Sequence, residues 1–179
     1  MQINDMMLFE SEEGSLKSIM ISDLLGEDNY KKFIEAENKV CEIVGKQLFR
    51  QFESLNSKYH IAMIEKMYKL GAQYGYKQFI QYSLISSAPI PTDEELTDTY
   101  YNSKECTAHI EFDHEDELSA LVKQMQTMCG FKTYDNFEDL DSQYQLQDGK
   151  IHFIKGFHDA IDLLTEMSGN KSPYNVKAC

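Results

Sequence analysis

The chain has 179 residues, 42% of them apolar, which is enough for a buried core, and no run approaches the 18 or more apolar residues that a membrane helix needs. Its net charge of −13 is uneven, at −6 over residues 1–30, +4 over 31–85, −12 over 86–149 and +1 over 150–179. An acidic middle repels a phosphate backbone, and a single arginine, Arg50, against sixteen lysines leaves almost none of the bidentate forks that read guanine, so direct nucleic acid binding is disfavoured.

Residues 1–27 form an N-terminal segment without clear periodicity. Its start, MQINDMMLFESEEG, has acids where a signal peptide places lysines, so the chain is expected to stay in the cytoplasm. Cys41, Cys106, Cys129 and Cys179 are far apart, with no CxxC and no histidine at finger-like spacing, and read as packing or idle thiols.

Residues 28–85 read as a helical hairpin. Phe33, Ala36, Val40, Ile43, Val44, Leu48 and Phe52 recur at three- and four-residue steps, the period of an apolar helical stripe. Leu55-Asn56-Ser57 is the expected turn, with Asn56 or Ser57 capping a second helix from about 58 to 85. That helix carries Ile61, Ile64, Met67, Tyr68, Tyr74, Phe79 and Tyr82, and also Gly71 and Gly75. A mid-helix glycine costs about 0.5–1 kcal/mol relative to alanine, so the pair points to close backbone approach between helices.

Laid over itself at an offset of 85 residues, the chain repeats. FRQFESLNSKY (49–59) falls on YDNFEDLDSQY (134–144), Gly45 on Gly130 and Gly71 on Gly156, with no gap. Residues 115–170 are therefore a second copy of the hairpin. Leu118, Leu121, Val122, Met125 and Met128 lie on its first helix, and Ile151, Ile154, Phe157, Ile161 and Leu164 on its second. Ser142 and Gln145 are spaced as a capping box, and Gly169-Asn170 with Pro173 should end the last helix before a tail at 171–179.

The linker, 86–114, begins SSAPIPTDEEL, where Pro89 and Pro91 stop a helix. Alternation over Thr107–Phe112 suits a short strand, for which MQINDMMLF is the candidate partner. The expected fold is mainly α, two pseudo-repeated helical hairpins packed as a bundle, with an acidic linker that has room for a short β element.

Chemistry-bearing residues are few. His109, Glu111, Asp113, His114, Glu115, Asp116 and Glu117 are rich in metal-ligating atoms, but a local run more often decorates a helix start, where the dipole favours acids. The doublet His158-Asp159, with His60, His114 and Asp162, suits a metal-dependent phosphohydrolase if facing helices bring the set together. Of the acids Glu10, Glu12, Glu13, Glu35, Glu37 and Glu42, only Glu10 and Glu13 have the Glu-x-x-Glu spacing of helical nucleotide pyrophosphohydrolases. No P-loop, nucleophile elbow, HExxH or dinucleotide fingerprint occurs, so no catalytic residue, metal site or cofactor is assigned. Tyrosines exceed what a small core needs, and that surplus suits an interface.

The stretch Leu55–Phe79, containing Tyr68-Lys69-Leu70-Gly71-Ala72-Gln73, resembles small helical proteins of Firmicutes and their phages that end in an aromatic-x-x-Gly-aromatic-Lys/Arg-x-Gly/Ala helix. The resemblance implies a helical fold and a mobile-element origin; the family has no assigned activity. By analogy, small acidic phage proteins without catalytic motifs act as inhibitors of host defences, anti-CRISPR proteins among them. Spaced carboxylates mimic phosphate charge and steer association with a basic cleft. The expected contact surface is Asp93, Glu94, Glu95, Asp98, Glu111, Asp113, Glu115, Asp116 and Glu117, continued by Glu138, Asp139 and Asp141, and the expected partner is a protein with a basic surface such as a CRISPR nuclease. The alternatives are the phosphohydrolase and a helical homo-oligomer, in its simplest form a homodimer.

Overall fold

The computed structural model describes residues 24–84, 89–108 and 110–169. Among them the chain is helical, with no strand, and packs as a bundle. The helices are α1 (Glu27–Val44), α2 (Lys46–Leu84), α3 (Asp93–Asn102), α4 (Lys104–Thr107), α5 (Glu115–Cys129) and α6 (Phe131–Met167).

The repeat is real, but each copy bends at a different point from the one expected. α1 gives way to α2 at Gly45 (φ 83°, ψ 148°), and α5 to α6 at Gly130 (φ 72°, ψ 147°). This backbone region is accessible essentially to glycine alone, which explains why one residue suffices to reverse the chain. Leu55-Asn56-Ser57 is not a turn; it lies inside the 39-residue α2. Ser142 and Gln145 likewise sit inside the 37-residue α6 and cap nothing. Gln145 reaches across to Asn56 of α2 instead, and Ser142 is exposed.

The long helices α2 and α6 lie side by side and run parallel, because their contacts follow one another in the same order along both. Phe52 packs edge-on against Phe137, Asn56 bonds Asp141, and Gly75 approaches Phe157 and Ala160. Several of these contacts join residues 85 positions apart, so the copies are related by a pseudo-two-fold axis between α2 and α6. The small-residue crossing expected from Gly71, Gly75, Gly156 and Ala160 is present. A Cβ on Gly71 would collide with the Phe153 carbonyl, and one on Gly156 with the Tyr68 carbonyl, which is the same contact seen from the other copy.

At the start of the long helices, α1 and α5 fold back to complete a four-helix core of Phe33, Ala36, Val40, Val44, Phe49, Phe52, Met125, Tyr134, Phe137 and Leu140. Further along, Met63, Met67, Phe153, Phe157 and Ile161 form a second core, closed by Leu96, Tyr100 and Ile110 of the linker. Each fully buried large side chain contributes about 1.5–3 kcal/mol, so the linker is part of the fold. The repeat also extends to the surface, where the equivalent pairs Ile43 and Met128, Ile61 and Leu146, and Tyr82 and Met167 are all exposed.

The linker holds helices where a β element was expected. Thr92 accepts from the Glu95 amide while the Glu95 carboxylate accepts from the Thr92 amide, a complete capping box that starts α3 just after Pro91. Ser103 caps α4 through the Cys106 amide. Thr107 ends that helix, and no ladder partner exists among the described residues. MQINDMMLF, His109 and the tail from Asn170 lie outside the described residues.

Candidate functional site

The acids of the linker fall into two groups. Asp93, Glu94, Glu95 and Asp98 are on α3; Glu111 and Asp113 precede α5, and Glu115, Asp116 and Glu117 form its first turn. All nine are exposed. Six of them lie in first helical turns, where they complement the helix dipole, so part of this charge serves the helix starts.

The scaffold fixes where this charge points. Leu96 and Tyr100 bury one face of α3, the Tyr100 hydroxyl donates to the Leu146 carbonyl of α6, and Gln147 bonds Tyr101. At the start of α3, Asp93 Oδ1 sits 2.7 Å from His158 Nε2. Glu94 and Asp98 stay in solvent on the opposite face.

A second acidic area lies on α6. Glu138 and Asp139 are exposed there, Glu138 lying near Asp135 and Asp141, and Asp141 in turn lies near Glu37 of α1, which faces Glu53 of α2. Burial and then the charges of Glu53 and Asp141 raise the Glu37 carboxyl above its ordinary range; burial, Asp135, Asp139 and Asp141 do the same to Glu138. Nothing local in the sequence signals that α1 and α2 carry Glu37 and Glu53 toward Asp141 of α6.

Asp141 is not part of an exposed face. It is half-buried between α2 and α6, where Asn56 Nδ2 donates to it at 3.0 Å and Gln145 Nε2 at 2.8 Å. Burial raises its carboxyl despite these bonds.

Two turns further along α6 lies a polar cluster that the sequence did not announce. Asp148, 6% exposed, is flanked by His152 of its own helix and His60 of α2. His152 Nδ1 lies 3.2 Å from Asp148 Oδ1 and 2.9 Å from the Asp148 carbonyl oxygen. His60 Nε2 lies 3.0 Å from Asp148 Oδ2, in an approach too poorly aligned for a hydrogen bond, and its ring stacks edge-on against Tyr144. Burial alone would raise the Asp148 carboxyl, but the two histidines outweigh it and hold the group far below the usual carboxylate range. Burial would lower His152, and Asp148 reverses that and raises it. Burial beside these acids pushes the Tyr144 hydroxyl up to about 12. In the other copy the equivalents of Asp148 and His152 are Met63 and Met67, both buried in the second core. That substitution is the signal an alignment of the two copies could have given.

The residues considered for phosphohydrolysis are held in separate places. His158 faces Asp93, while Asp159 accepts from Tyr68 at 2.9 Å and pairs with Lys155. His60 faces Asp148 and His114 faces Glu117. Among the described residues, no three or more of His, Cys, Asp and Glu are grouped so as to hold a metal ion. The described concavities are open grooves between α2 and α5, lined by Lys46, Arg50, Gln51, Leu55, Gln124 and Met128 among others. No described helix is long and apolar enough to cross a membrane.

The chain matches no protein-family model, and no curated protein or solved structure is significantly similar to it.

Proposed function

We propose that this protein is a binding protein whose acidic surface occupies the basic surface of a nucleic-acid-binding protein, and thereby inhibits it. The observation that supports the reading most directly is the exposure of the carboxylates of α3, fixed to the bundle by Leu96, Tyr100 and the Asp93–His158 contact, and of those at the α5 start. Among the described residues, Glu94, Asp98, Glu111, Asp113 and Asp116 form no ion pair with a lysine or arginine. Charge held in place needs little ordering on binding, and complementary charge raises association rates. Glu138 and Asp139 extend the same character along α6. The finer identification, a CRISPR-type nuclease inhibited by a phage-encoded protein, rests on analogy with small acidic phage inhibitors of host defences.

The test uses the intact protein beside a variant with Asp113→Asn, Glu115→Gln, Asp116→Asn and Glu117→Gln. Both are used to capture partners from a bacterial lysate, and the captured protein is then purified. Support requires that it bind the intact chain with a steep loss of affinity as salt rises, that duplex DNA compete, and that the variant bind at least tenfold more weakly. Equal retention of the partner by both proteins, or binding indifferent to salt and DNA, reduces the acidic face to a solvated surface.

A further inference from the structure

The pseudo-axis creates a pairing problem. Where two helices descend from one repeat and pair in parallel, each presents to its partner nearly the surface it would present to a copy of itself. α2 is thus preadapted to pair with α2 of a second chain, and α6 with α6. The apolar contacts do not discriminate, since Phe52 and Phe137, or Gly71 and Gly156, are the same kind of group at equivalent positions.

The polar contact at the axis does discriminate. Asn56 and Asp141 are equivalent residues, 85 apart, and they bond to each other at 3.0 Å. An α6 pair between two chains would therefore set Asp141 against Asp141 in a half-buried position, where the Asn56 amide, backed by that of Gln145, now answers one carboxylate. Two carboxylates at one such site cannot both be ionised without a large penalty. The trio of His60, Asp148 and His152 further along has the same asymmetry. Asp148 and His152 come from α6 alone and His60 from α2 alone, and an α6 pair would offer Gln145 at the place of His60.

We propose that Asn56 and Asp141 are a partner-selecting pair, which commits α6 to α2 and bars α6 from pairing with α6 of a second copy. A single polar residue in an apolar helix seam is known to set register and partner in this way, at a cost in stability. The requirement is one amide and one carboxylate, in either order.

Three full-length variants test this: Asn56→Asp, Asp141→Asn and the exchanged double variant. Asn56→Asp puts two carboxylates on the axis, so its folding equilibrium constant should drop roughly 10- to 100-fold at neutral pH and recover on mild acidification, when one proton is shared. The double variant should regain most of that loss. Asp141→Asn makes both long helices compatible with themselves. After refolding at high concentration it should contain several times the dimer fraction of the wild type and of the double variant, measured by light scattering. A double variant as unstable as Asn56→Asp overturns the equivalence of the two positions. Equal dimer fractions in all proteins overturn the selection against a second copy.

Discussion

Gly71 and Gly156 face each other's helix across the pseudo-axis so closely that neither has room for a methyl group, each being stopped by the backbone carbonyl three residues before its counterpart. Because the obstacle is backbone, a side-chain shift cannot relieve it. Gly71→Ala and Gly156→Ala should each destabilise by about 1–3 kcal/mol, read from the urea midpoint, despite alanine's better helix propensity. A gain in stability at either position would show that the long helices do not meet at these glycines.

Gly45 and Gly130 should be intolerant for a different reason. Nothing lies within 4 Å of a Cβ at either position, yet both have backbone angles that other residues almost never adopt. Gly45→Ala or Gly130→Ala should cost about 1–3 kcal/mol in strain. The double variant favours fusing each short helix to its long one. Circular dichroism should then show helix content retained while the cooperativity of unfolding falls.

The buried trio gives stability a pH dependence whose sign can be worked out. His152 is raised in the fold, so its contribution is complete below its unfolded value near 6.5 and is lost as pH rises through the higher folded value. Asp148 is lowered, so its contribution is present above its unfolded value near 3.8 and is lost only as pH falls through the much lower folded one. Glu37, Glu138 and Asp141 are raised, so their repulsion and desolvation are relieved as pH falls through their folded values. His152 and the raised carboxyls favour mild acid, while the contribution of Asp148 is complete throughout this range. The thermal midpoint should be higher near about pH 5.5 than near about pH 8, and a flat profile between them would count against the trio.

Replacing Asp148 and His152 together by methionine copies what the first copy has at Met63 and Met67. An apolar substitute for a buried ionic group is often neutral or stabilising, whereas removing one partner alone is not. The double variant should therefore remain folded and lose the histidine part of the pH dependence. Asp148→Ala alone should be the most destabilising change in this region, since it strips buried His152 of its carboxylate partner and half-buried His60 of the charge it faces.

Much of the architecture was legible because the repeat is written in side chains. The match of Phe52 to Phe137 and of Gly71 to Gly156 is enough to locate the two copies and their crossing. The bend was misplaced because Asn56 and Ser57 have the letters of a helix cap, and in a single sequence those letters do not reveal whether the side chain answers its own backbone or a neighbouring helix. Thr92 and Glu95 form a capping box that the spacing did offer, three residues apart after a proline, but the surrounding acids made the segment read as linker. Asp141 looked like surface charge for the same reason. The trio of His60, Asp148 and His152 joins residues from opposite copies, so only the fold assembles it.

The parallel pairing of α2 and α6 has a consequence for biosynthesis. An antiparallel hairpin finds its partner within a few residues of emerging, but α2 must wait for a segment made 85 residues later. At a translation rate of about 5–20 residues per second, the apolar seam of the first copy stays uncovered for roughly 4 to 17 s. During that interval a nascent chain on the same messenger presents an identical seam.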